Sequence, residues 1–165
     1  MRLAAFTVFL SFILAGCGFQ LRGTAELPFQ TLYMPPASSG IALDVKRNIV
    51  AGTNTKVVDD PKEAEAQLQF TQELRDRNIL SLAATGRVRE YQLRYRVGFQ
   101  VVDGKGGQFV PPTSIVLTRD ITFNDSDVLS KEVEEGQLYR DMQFDMVRQI
   151  MLRMAAAKPA KPAAQ

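Results

Sequence analysis

The chain has 165 residues, with 20 Lys and Arg against 18 Asp and Glu, no histidine and one cysteine. A charge this close to balance argues against a nucleic-acid footprint. Without histidine or a second cysteine, Ser-His-Asp and Cys-His nucleophiles and most zinc sites are excluded, and a folded domain must rely on its core without disulfides.

Met1-Arg2 precede an apolar run from Leu3 to Leu14, then small residues and Cys17. That order is a positive n-region, an h-region and a cleavage site, and the run falls short of the roughly 20 residues a spanning helix needs. Residues 1–16 therefore read as a signal peptide. Leu14-Ala15-Gly16-Cys17 resembles the bacterial lipobox. The resemblance implies cleavage before Cys17, a thioether-linked diacylglycerol on it and an acyl chain on the new amino group, so Cys17 is an anchor. Two or three acyl chains make membrane attachment effectively permanent. Gly18 stands where inner-membrane lipoproteins of enteric bacteria carry Asp, which points by analogy to the periplasmic face of the outer membrane.

Thr31-Leu32-Tyr33-Met34 before Pro35-Pro36 predicts a short strand closed by proline. Ile41, Val45 and Ile49 recur every four positions between the possible caps Ser38-Ser39-Gly40 and a Gly52 placed as a C′ residue, predicting a helix over 41–51. Strands before and after it that pair directly should be parallel. Over 67–74 a period of two puts Leu68, Phe70 and Leu74 on one face and Gln67, Gln69, Thr71 and Glu73 on the other. Over 91–101 Tyr91, Leu93, Tyr95, Val97, Phe99 and Val101 alternate with Arg94, Arg96 and Gln100. Ala83-Ala84-Thr85-Gly86 joins these two strands as a hairpin, and Asp103-Gly104 starts the turn toward a third strand over Ile115–Phe123. Asp103-Gly104-Lys105-Gly106-Gly107 lacks the order of a phosphate-binding loop and reads as a turn. Arg119 interrupts the apolar parity of that third strand, which a bulge or an edge position would accommodate.

Tyr139, Met142, Met146, Ile150 and Met154 form a helical stripe ending near 154, more simply a core face than a binding groove. The acidic groups Asp59-Asp60 and Glu132, Glu134 and Glu135 read as solvated faces or helix starts. Residues 155–165 are an Ala/Lys/Pro segment with too little apolar bulk to order itself. The expected fold is α+β, in the order β-α-β-β-β-α, with two helices on one face of a four-stranded mixed sheet over residues 17–154. The other face stays polar.

Cys17-Gly18-Phe19-Gln20-Leu21-Arg22-Gly23 resembles the mature start of the LptE family of lipopolysaccharide-assembly lipoproteins. Glu90-Tyr91-Gln92 opening the central strand, the first helix, and Leu129-Ser130-Lys131 leading into the last one are also similar to that family. The resemblance implies a plug domain inside the β-barrel protein LptD, aiding its assembly and engaging lipopolysaccharide, with no bond made or broken and no cofactor beyond the lipid on Cys17. A polar exterior suits a domain held in an aqueous barrel. Arginines suit the phosphates of lipopolysaccharide. Arg75, Arg77, Arg87, Arg89, Arg94 and Arg96 cluster around the second and third strands. The family's basic hairpin contact falls on Ala84 here, so Arg87 or Arg89 would have to replace it, whereas its lysine at the last helix corresponds to Lys131. Lys131, Arg87, Arg89, Arg94 and Arg96 are therefore the candidate lipopolysaccharide contacts. Two other classes stay open: a pilotin or barrel-assembly accessory that binds a peptide at a sheet edge, and a hydrolase working through Glu90 or Asp120.

Overall fold

The computed structural model describes residues 26–124 and 126–158. The expected signal peptide over residues 1–16, Cys17, the family-like segment 17–23 and residues 159–165 of the expected Ala/Lys/Pro tail lie outside the described residues. Chain order is β1 (Thr31–Tyr33), α1 (Gly40–Gly52), β2 (Lys56–Val58), β3 (Ala66–Leu82), β4 (Val88–Asp103), β5 (Gln108–Thr122) and α2 (Val128–Ala155). The sheet is mixed and five-stranded, in the order β2-β1-β3-β4-β5. The expectation of four strands is corrected by β2, whose three residues are too few to show a period of two.

β1 runs parallel to both of its neighbours: Leu32 pairs with Val57 of β2 and with Ala66 of β3. β3, β4 and β5 are antiparallel, as expected, and much longer than the apolar alternation indicated. Their outer halves are polar on both faces or irregular in register, so the pattern fades while the hydrogen bonding continues. The 83–86 hairpin closes as expected, with the Ala83 N–H donating to Arg87 O at 2.8 Å and Gly86 at φ +80°.

Both helices pack against one face. Ile41, Val45 and Ile49 of α1 and Met142, Met146, Val147, Ile150 and Met154 of α2 share one buried cluster with Leu32, Leu68, Leu93, Tyr95, Val97, Phe99 and Val101. The methionine stripe is core. Gly52 is the last residue of α1 and not a C′ residue beyond it. The end is made by Thr53, whose N–H and hydroxyl both donate to Ile49 O, at 3.0 and 2.8 Å. Gly40 instead supplies the unusual backbone, at φ +75° where α1 begins.

A bulge reverses part of the face assignment in β3. Phe70 pairs with Phe99 but Gln72 pairs with Gly98, so Thr71 is the extra residue and parity inverts beyond it. Leu74, expected on the core face, is 41% exposed on the open face beside Arg96, and Glu73 moves to the helix side. The residue opposite the bulge must be small. A Cβ on buried Gly98 would lie 2.5 Å from Thr71 Oγ1.

Candidate functional site

The five candidate cations fall into two groups. Arg94 and Arg96 lie mid-strand on the open face of β4, opposite Asp76 and Leu74. Arg94 grips Asp76, its Nη2 donating to Oδ2 at 2.6 Å and its Nε reaching both carboxylate oxygens. This bond holds the Asp76 carboxyl below the usual carboxylate range and raises the Arg94 guanidinium. Arg89 and Arg87 lie about 23 and 30 Å along the strand from Arg96, at the hairpin end. Arg89 sits in a register irregularity: Ser81 pairs with Glu90 and Leu82 with Val88, leaving Arg89 between.

Lys131 belongs to the hairpin end as well. The Phe123 N–H donates to Arg89 O at 2.8 Å, so the segment leaving β5 is fastened to β4 just before α2 begins. Lys131 Nζ then donates to Thr122 Oγ1 at 3.2 Å and to Glu134 Oε2 at 2.8 Å, and only 21% of its side chain is exposed. It tethers the start of the helix to the end of the sheet. Tyr91 and Phe123 close the same corner edge-on at 5.3 Å. Hairpin, β5 terminus and helix start therefore form one distal end, with Arg87, Arg89 and Lys131 at its polar positions.

Arg75 and Arg77, grouped with these by sequence, do not share their setting. The Thr71 bulge turns both toward α2. Arg75 lies over the Tyr95 ring at 4.6 Å and the Tyr139 ring at 5.6 Å and donates to Gln143, which in turn donates to Asp44 of α1. Arg77 covers the Tyr91 ring at 4.9 Å and pairs with Glu135 at 3.1 Å. Cation–π contact and charge pairing make these arginines clips between sheet and helix. Burial, and then the hydrogen bond it donates to Glu73, push the Tyr95 hydroxyl far above its ordinary range. Tyr139 is raised by burial too, and its hydroxyl donates to the Asp76 carbonyl at 3.0 Å.

The sheet edges are partly blunted. β5 is an outer strand, and its Pro111 and Pro112 fall where the register with β4 shifts. Arg119, the residue that interrupted the apolar parity, reaches Asp145 of α2 at 2.9 Å and donates to its own strand at Thr118 O. Edge position explains it, and no bulge is needed there. Such prolines and charges disfavour pairing with another strand.

At the opposite end, a cleft of about 1030 Å³ is lined by Pro28, Lys62, Glu65, Asp103, Lys105 and Phe109, and none of the five candidate cations lines it. Among the described residues, no cluster of acidic or cysteine side chains is placed to hold a metal, and no helix is long and apolar enough to cross a membrane. Glu90 is occupied by the Ser81 hydroxyl at 2.7 Å, and Asp120 by Gln92 at 3.3 Å.

The profile of the lipopolysaccharide-assembly family LptE matches residues 29–154, which is most of the chain. The chain belongs to the LptE family. An LPS-assembly lipoprotein LptE from Pectobacterium atrosepticum is 27% identical over 161 residues, covering 93% of this chain and 86% of that one. A solution NMR structure of an uncharacterized lipoprotein B from Nitrosomonas europaea is 41% identical, with a TM-score of 0.70 over 81% of this chain and 88% of that one. The crystal structure of the rare lipoprotein B from Shewanella oneidensis is 27% identical, with a TM-score of 0.66 over 76% and 94%. Family membership makes this LptE-family chain a lipopolysaccharide-assembly lipoprotein with a non-enzymatic role.

Sequence reasoning missed the exposed apolar residues of the distal end, Ile79, Leu80, Leu82, Val128, Leu129 and Val133. A signal was present: Ile79-Leu80-Ser81-Leu82 breaks the two-residue alternation just before the turn, which a half-buried strand does not do.

Proposed function

We propose that this chain is anchored through lipidated Cys17 at the periplasmic face of the outer membrane, plugs the LptD β-barrel and helps it assemble, and engages lipopolysaccharide with its distal end. One observation carries the lipid-engaging part: the hairpin with Arg87 and Arg89 and the helix start with Lys131 are hydrogen-bonded into a single end of the molecule. Arginine forks and a lysine point charge are the groups that bind phosphate oxygens. Family membership supports the assembly role, and a domain with a polar open sheet face is compatible with an aqueous barrel lumen. The blunted edge of β5 weighs against the peptide-at-a-sheet-edge alternative.

Three measurements test the parts separately. Depleting the protein is expected to trap LptD in a misassembled form, and LptD that matured normally with no stable pair to purify would end the plug reading. Mass spectrometry of the mature protein is expected to find diacylglycerol on Cys17; an unmodified residue there removes the anchor. Reversing Arg87 and Arg89 together to Glu is expected to weaken lipopolysaccharide binding, with the difference shrinking as salt screens it. Binding that did not change at low salt would reject both as contacts.

A further inference from the structure

The exposed apolar side chains are not scattered. Among the described residues eleven large hydrophobic side chains are exposed, and six of them, Ile79, Leu80, Leu82, Val128, Leu129 and Val133, belong to the distal end. Solvent-facing apolar residues in isolation are ordinary, but a concentration at one end marks a contact surface. On the hairpin the cause is visible in the register. Irregularities between Ile79 and Ser81 and between Ser81 and Leu82 break the alternation, leaving Ile79, Leu80 and Leu82 at 58%, 48% and 57% exposure.

Charge narrows the occupant. From Asn78 to Arg89 the chain contains no acidic residue and two arginines. Leu82 pairs with Val88, so Arg87 and Arg89 flank the residue directly across from an exposed leucine. The turn itself is Ala83-Ala84-Thr85-Gly86, without a long polar side chain to resist transfer into an apolar medium. Along the hairpin the cations and the apolar side chains stand side by side: Arg87 lies opposite Ala83, Arg89 lies next to the Leu82–Val88 pair, and Ile79 and Leu80 follow. That juxtaposition complements an amphiphile that carries anionic groups beside its hydrocarbon.

We propose that residues 79–89 contact lipopolysaccharide as an amphiphile, with Ile79, Leu80 and Leu82 meeting its acyl chains while Arg87 and Arg89 meet its phosphates. This rests on the reading that the distal end engages lipopolysaccharide, and adds which part of the ligand each side chain recognises. Removing the acyl chains, or the apolar side chains that meet them, forfeits burial of hydrocarbon and leaves the charge contacts in place.

The test uses the full-length lipidated protein in a non-ionic detergent and two probes, intact lipopolysaccharide and its fully deacylated, phosphate-bearing saccharide. The triple variant Ile79→Ser, Leu80→Ser, Leu82→Ser is expected to lose roughly tenfold or more in affinity for intact lipopolysaccharide, with the saccharide bound as before. Arg87→Glu with Arg89→Glu is expected to weaken both. Leu82→Ser alone, with an unchanged urea midpoint, gives the same pattern at smaller size and guards against a folding defect. Equal losses for both probes, or none in the triple variant, would overturn the proposal. So would equal affinity for phosphatidylglycerol vesicles, or a wild-type dimer that the triple variant abolishes, since a second copy would then cover the patch. If the wild-type protein bound neither probe, the underlying lipopolysaccharide reading would itself be lost.

Discussion

The two halves of α2 are held to the same sheet by different means. From Met142 onward the helix buries Met142, Met146, Val147, Ile150 and Met154 against β4 and α1, whereas from Val128 to Asp141 no residue is buried. The first half is fastened by the Arg77–Glu135 pair, the Tyr139 hydroxyl on the Asp76 carbonyl, Arg75 between two tyrosine rings and the Lys131 tether. β3 shows the same division, with Ala66 and Leu68 buried and nothing buried beyond them. Hydrocarbon packing and polar clips differ in strength by several-fold, so the proximal half is the stable body and the distal half the part able to yield. The candidate lipid contacts lie on the yielding half.

The largest effect that sharpens this contrast is expected from cavities. Ile150→Ala should cost about 3 kcal/mol in urea unfolding, while Val133→Ala on the same helix should stay within roughly 0.5 kcal/mol. Similar costs for the two would break the division. Next in size is Gly98→Ala, where the new methyl meets Thr71 Oγ1; a loss of about 1–3 kcal/mol is expected from overpacking. Combining it with Thr71→Ala should recover much of that loss, and strict additivity would show that the bulge contact is not the cause.

Tyr139→Phe removes one hydroxyl and should cost about 1 kcal/mol. Its more specific signature is faster amide exchange in residues 75–92 with little change around 97–102; a uniform change would mean the clip is not local. Smaller still is an alkaline effect. The folded state raises the Tyr95 hydroxyl, so the unfolded chain ionises first, and stability holds below about pH 10 and falls as pH climbs past it. Tyr95→Phe should flatten that alkaline decline, measured by urea midpoints from pH 9 upward (about 10 being the ordinary tyrosine value).

The smallest effect is expected at Asp76, whose lowered carboxyl contributes stability above the unfolded value near pH 3.9 and loses it as pH falls toward the folded one. Asp76→Asn should remove this acid sensitivity from the melting temperature without touching behaviour at neutral pH beyond the lost half-buried pair. An unchanged acid profile would mean the Arg94 grip does not distinguish folded from unfolded chains.

The core and most elements were legible because a helix or a half-buried strand repeats its apolar residues at a fixed period. Ile41, Val45 and Ile49, the odd residues of β4 and the methionine stripe all lie where that periodicity put them. The Thr71 bulge was not legible, because one extra residue inverts every later side chain while leaving composition unchanged. β2 was too short to show a period, and its place beyond β1 is a matter of chain topology.

The site divides similarly. The basic residue types and the family-like Lys131 were visible in the chain, but their grouping was not. Arg75 and Arg77 alternate with Asp76 at a spacing identical to that of any solvated strand, and only the bulge decides that they face tyrosines on the helix side. Arg94 finds its acid 18 positions away through strand pairing.

By itself, then, the sequence determined what local chemistry can encode: the apolar periods that make two helices and a sheet, the glycine-closed hairpin, the lack of catalytic nucleophile machinery and the family. Only the tertiary structure decided which arginines clip the sheet to the helix and which stand with exposed leucines at the distal end. Register and packing join residues far apart in the chain, and neither is written in the neighbourhood of any one of them.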